Sequence, residues 1–160
     1  MTKNTARAIM IVVGIAILLV IVGLGSAVWL YSQTVARGTA DAGKAEATFT
    51  EIRGRFAGVK PVLDVRDGEP VLTRKPPEGP PRSRLSTLHV VAWDPDDEGL
   101  TRVDLPFWLL RLKSGPIEIT SRSGFENLNL TVEDLERFGP ALLMDHVGRG
   151  GDRVLVWTED

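Results

Sequence analysis

His89 and His146 are the first places to look for chemistry in this chain of 160 residues. Asp145 stands beside His146, and a serine brought close would complete a nucleophile–base–orienter set. Adjacent residues of a strand point to opposite faces, however, so Asp145 cannot readily orient His146, and no G-x-S-x-G elbow is present. The two histidines lie in different β-like runs and could share a metal with a carboxylate, but no ligand spacing surrounds them. The chain has no cysteine, which excludes disulfides, thiolate nucleophiles and Cys-ligated zinc or iron–sulfur sites. The acidic turn DPDDEG places Asp94, Asp96, Glu98 and Gly99 at positions 1, 3, 5 and 6 of a calcium loop, yet position 12 is Leu105, which cannot ligate. GRGGD, residues 148–152, has the glycines of a phosphate loop without a following helix. Glu133, Asp134 and Glu136 cluster at the start of a helical run, where negative charge complements the helix dipole. No catalytic, cofactor-binding or metal-binding residue is therefore expected, and no small-molecule substrate.

The elements that would position these residues follow a long apolar stretch. Residues 9–30, IMIVVGIAILLVIVGLGSAVWL, contain no charge, with Trp29 and Tyr31 at the far end. About 20 apolar residues match a hydrocarbon core of about 30 Å, and the run exceeds a signal-peptide h-region. The expectation is an uncleaved signal-anchor: a single-pass transmembrane helix within residues 1–36, a basic tail carrying Lys3 and Arg7 in the cytoplasm, and the remaining chain outside the cell membrane. Gly23 and Ala27 have a small-xxx-small spacing that reads as ordinary membrane-helix composition. Beyond that tail, 17 basic residues face 21 acidic ones, a balance that argues against nucleic acid as a partner.

Residues 37–58 read as a juxtamembrane amphipathic helix, with Ala45, Phe49, Ile52 and Phe56 on one face and Gly58 and Pro61 ending it. Residues 59–84 hold a hairpin around Asp67-Gly68, its second run placed at a sheet edge by Pro70, then the Pro-rich connector PPEGPPRSR. Arg74, Lys75, Arg82 and Arg84 surround that connector and could meet acidic partners or lipid headgroups. Residues 85–160 read as a compact α+β module: LSTLHVVAW and TRVDL as strands, a short turn at PFWLLRL, and IEIT as a further short strand. A helix follows from Thr131, capped by Thr131 and Asp134 and stapled by Leu130 and Leu135, and a closing hairpin surrounds GRGGD. The expected fold class is α+β, an N-terminal transmembrane helix followed by a small antiparallel-sheet domain with one or two short helices.

One run has almost no polar side. Phe107, Trp108, Leu109, Leu110 and Leu112 fall on a single short turn that a small domain has difficulty covering completely. Phe107, Trp108 and Leu109 are thus the candidate interaction surface, with indole favoured at interfaces.

The segments TLHVVAWDPDDEGLTRVDLPFWLLRL, LTVEDLERFGPALLMDHV and DRVLVWTE resemble a family of uncharacterised bacterial single-pass membrane proteins. More remotely, Val103 to Leu110, Thr131 to Phe138 and Asp145 to Glu159 are similar to the C-terminal module of cell-envelope stress proteins. Here His146 and Arg149–Gly150–Gly151 stand where that module has an acidic turn. The resemblance implies a fold and a bacterial cell-envelope setting, not a catalytic activity. Taken together, the expectation is a non-enzymatic, membrane-tethered interaction module whose partners are the lipid bilayer and another protein or itself. The alternative is a domain near the membrane that binds lipid or an apolar ligand, and a hydrolase comes third.

Overall fold

The computed structural model describes residues 35–66, 69–112 and 130–160. Ten elements follow in order: β1 (Val35–Thr39), α1 (Ala42–Arg55), β2 (Leu63–Arg66), β3 (Glu69–Leu72), β4 (Thr87–Asp94), β5 (Gly99–Pro106), α2 (Phe107–Arg111), α3 (Val132–Phe138), β6 (Leu142–Val147) and β7 (Arg153–Glu159). The strands make one seven-stranded sheet in the order β1-β5-β4-β7-β6-β2-β3. Its middle strand is β7, and the neighbouring β4 feeds both faces, Leu88 and Val90 on one and Val91 and Trp93 on the other, because successive side chains of a strand point to opposite sides.

Each face carries its own core. On one side Val91 and Trp93 of β4, Leu155 and Trp157 of β7 and Leu142 of β6 pack beneath Ala45, Phe49 and Ile52 of α1. These three helix residues are the buried positions of α1, at the spacing of one helical face. On the other side Leu88 and Val90, Val103 and Leu105, and Val154 and Val156 meet Phe107, Leu109 and Leu110 of α2 and Leu135 of α3. A bulge in β6 between Leu142 and Met144 lets that strand serve both cores, since Leu142 faces α1 while Leu143 and Met144 join the opposite side.

Local chemistry sets the helix ends. Asp41 caps α1 by accepting from the Lys44 amide at 2.9 Å. Thr131 accepts from the Asp134 amide at 3.0 Å while the Asp134 carboxylate accepts from the Thr131 amide at 2.9 Å, a reciprocal capping box. Gly139 ends α3 at φ +72°, a conformation that glycine tolerates best. The hairpin around residues 67–68 pairs Arg66 with Glu69, and β3 lies at the sheet edge where Pro70 lacks a ladder donor.

Several expectations are corrected here. The described residues form a mixed α+β domain dominated by a seven-stranded sheet with three helices, and β2 pairs parallel with β6, so the sheet is not purely antiparallel. Among the described residues no helix is long and apolar enough to cross a membrane. The longest, α1, has 14 residues, about 21 Å at 1.5 Å per residue, and carries Lys44, Glu46, Glu51, Arg53 and Arg55. Residues 9–30, on which the transmembrane helix was expected, lie outside the described residues, as does the strand expected at IEIT. A transmembrane anchor, a bilayer partner and a single-pass cell-membrane location have no support in the structure. The residues before α1 also differ from expectation: residues 35–39 are not helical but form β1, held in five-residue antiparallel register against β5.

Candidate functional site

Among the described residues neither histidine has a serine or threonine as a hydrogen-bond partner. His89 lies on β4, directly opposite Asp104 of β5 and Trp157 of β7. Its Nδ1 is 2.6 Å from Asp104 Oδ1, its Nε2 is 3.5 Å from Glu159 Oε2, and its ring stacks on the Trp157 indole at 4.9 Å between centroids. Both ring nitrogens therefore face carboxylates of neighbouring strands, and no hydroxyl of a described residue is a hydrogen-bond partner of the ring. Glu159 is held in turn by the Trp157 indole N–H at 2.9 Å and the Arg55 guanidinium at 3.1 Å. The indole hydrogen bond keeps the Glu159 carboxyl below the usual glutamate range, against the opposing effect of burial and with the charges of His89 and Arg55. The cluster is a clasp that joins β5, β4, β7 and the end of α1.

Asp145 is committed elsewhere. Its two oxygens accept from Arg53 Nε and Nη2, each at 2.7 Å, in a fork that fixes α1 to β6. Glu46 continues this network to Arg153, whose guanidinium also lies 5.6 Å above the Trp93 ring. His146, the next residue along β6, points to the other side of the strand.

The acidic turn and the glycine turn are structural as well. Asp94 accepts from the Asp96 amide and Asp97 from the Gly99 amide, both at 2.9 Å, so these carboxylates shape the β4–β5 hairpin. In the β6–β7 turn the Asp152 carboxylate folds so closely over Gly148 that a Cβ there would lie 2.0 Å from it. This glycine serves a close approach rather than a phosphate. Among the described residues no group of three histidines or carboxylates is placed to hold a metal ion.

The apolar turn remains, and the structure divides it. Pro106 ends β5 in extended conformation and α2 begins at once, so the helix is aimed by the strand beneath it. Phe107 is 0 % exposed, and Leu109 and Leu110 are buried beside it. Trp108 is 52 % exposed and Leu112, one helical turn on, is 61 % exposed. Of the expected surface, Phe107 and Leu109 thus belong to the core, while Trp108 faces solvent with Leu112.

The helix beneath this pair is firmly held. Arg111 donates to the Leu85 carbonyl at 2.8 Å and to the Glu136 carboxylate of α3, and the Phe107 amide donates to the Ser86 carbonyl at 2.7 Å. A large aromatic residue held outward on a fixed backbone loses little freedom when it meets another surface.

Residue pattern alone missed the His89 clasp and the Arg53–Asp145 fork. The first had one legible signal: pairing Asp94 with Gly99 across the DPDDEG turn sets His89 opposite Asp104. The second had none, because its partners lie 92 residues apart in the chain.

No protein family, curated protein or solved structure matches this chain. The resemblance to bacterial single-pass membrane proteins and to the module of envelope stress proteins is corrected accordingly: neither has support in these comparisons or in the helices of the structure.

Proposed function

We propose that this domain is a non-catalytic protein-binding module that docks on another protein through Trp108 and Leu112. The observation that carries the reading is the contrast within one short helix. Its other apolar residues are buried, yet its tryptophan stands half exposed on a backbone fixed from two sides. Tryptophan is enriched among residues that dominate binding energy, particularly where the surrounding scaffold is rigid. The lack of a serine or threonine partner at His89 among the described residues, and the commitment of Asp145 to its ion pair with Arg53, support the non-catalytic part. Neither tether nor lipid enters this reading.

Site-specific photocrosslinking in the source cells tests it. A photoreactive residue at position 112 should give a discrete protein adduct that disappears in a Trp108→Ala background. The same residue at position 147 is the control, because Val147 is 54 % exposed on a different element. Equal adduct patterns from the two positions, or no adduct from position 112, overturns the reading.

A further inference from the structure

The segment that leads into β4 runs against the helix bearing Trp108, and its charge is unlike that of the rest of the chain. Between residues 74 and 84 lie Arg74, Lys75, Arg82 and Arg84 against the single acid Glu78, whereas the whole chain has a net charge of −2. The segment is strapped down through its backbone. The Arg82 amide donates to the Glu136 carbonyl at 3.1 Å, and the Gly79 carbonyl accepts from Arg137 Nε at 3.0 Å. Arg82 and Arg111 thus meet on one residue, Glu136, from its backbone and its carboxylate. Leu85, which follows Arg84, accepts from Arg111 in the Trp108 helix.

The side chains of Lys75, Arg82 and Arg84 remain exposed, and none is in an ion pair with a described residue. The acids of α3 are already engaged, Glu136 with Arg111, and Glu133 and Asp134 with Arg137, and Glu78 within the segment offsets only one of its four cations. Arg74 lies across the Phe138 ring at 5.3 Å. The strap is therefore a segment of net positive charge whose backbone is fastened to α3 and which continues, at Leu85 and Ser86, onto the helix that presents the apolar pair.

We infer that the partner of the Trp108 surface is a protein segment whose apolar side chains are flanked by acidic residues, with those acids meeting Arg82 and Arg84. The inference rests on the reading of Trp108 as the docking point and adds the chemistry of the other side. A second copy meeting this one about a two-fold axis is disfavoured, since the two cationic straps would oppose each other. Opposite charge at the rim acts mainly on encounter rate and selectivity, and is weakened by salt.

The test uses the full chain and two labelled synthetic peptides. One has a phenylalanine and a leucine flanked by glutamates; the other has lysine in place of each glutamate. Binding is read by fluorescence anisotropy. The acidic peptide should bind and the basic one should not, and raising salt from about 50 to about 300 mM should weaken binding. Arg82→Glu with Arg84→Glu should weaken it by about tenfold or more without changing the melting temperature, since only the backbone of Arg82 is used in the fold. Trp108→Ala should weaken it as well. Equal binding of the two peptides, no binding of the acidic one, or indifference to the double charge reversal overturns the inference. Should an adduct still form from position 112 in that event, the docking role of Trp108 survives alone. Binding that needs the arginines but ignores Trp108→Ala would instead remove Trp108 as the docking point.

Discussion

Replacing Thr158 by valine tests how the two sides of the domain are joined. Thr158 is 0 % exposed on β7, and its hydroxyl works in two directions. It donates to the Gly139 carbonyl at 3.0 Å and accepts from the Ala141 amide at 3.0 Å, so it stitches the end of α3 to the start of β6. Valine preserves the branched shape and strand preference but strands a buried amide and removes one acceptor's donor. A buried polar group left unpaired costs about 1–3 kcal/mol. The Ala141 amide loses its acceptor and the carbonyl of Gly139, itself a buried residue, loses the donated hydroxyl. A net loss of about 2 kcal/mol follows, which for a domain of about 100 residues lowers the melting temperature by about 10 °C. Thr158→Ser keeps both hydrogen bonds, loses one methyl group, and should cost about 1 kcal/mol. Urea and thermal unfolding followed by circular dichroism measure both. A valine variant within about 0.5 kcal/mol of the parent, or a serine variant as damaged as the valine one, would refute this account of the joint.

Other perturbations separate core from surface and probe the charges. Phe107→Ala should cost about 3–5 kcal/mol because the ring is wholly buried. Trp108→Ala next to it should cost only about 1 kcal/mol, and equal losses in denaturant titrations would contradict the division of α2. Thr131→Ala removes the side-chain half of the capping box and should cost about 1 kcal/mol, read as a melting temperature lower by a few degrees. Glu159, whose carboxyl titrates below its ordinary 4.5, stabilises the fold above that pH, and its contribution disappears as pH falls through the lower folded value. Melting curves recorded during acidification should therefore decline less steeply for Glu159→Gln than for the parent, and identical slopes would argue against the clasp.

Much of the architecture was legible where short-range rules decide it. The helical spacing of Ala45, Phe49 and Ile52 identifies the buried face of α1, and the Thr131–Asp134 spacing identifies the capping box of α3. DPDDEG and GRGGD mark the turns of the β4–β5 and β6–β7 hairpins. What stayed hidden depends on contacts distant in sequence. VARGT of β1 has little alternation of its own and becomes a strand through its register with β5. A hairpin signal at residues 63–72 does not reveal that β2 lies parallel to β6. Long apolar composition suggested a fold organised around a membrane helix, whereas the described residues are organised around a sheet whose paired strands β4 and β7 feed a core on each face. Within the candidate surface, Phe107, Trp108 and Leu109 are alike in polarity. Only the position of α2 against the sheet decides that Phe107 and Leu109 face inward and Trp108 outward.

The central claim is that Trp108 is a docking residue and not an imperfectly covered piece of core. Calorimetry of the full chain with the protein crosslinked at position 112 tests it most directly, with Trp108→Ala compared at a temperature where both forms are folded. Loss of a hot-spot residue costs at least about 2 kcal/mol of binding, so the variant should bind about 30-fold more weakly or worse. An affinity within about twofold of the parent, with the variant folded, would contradict the account.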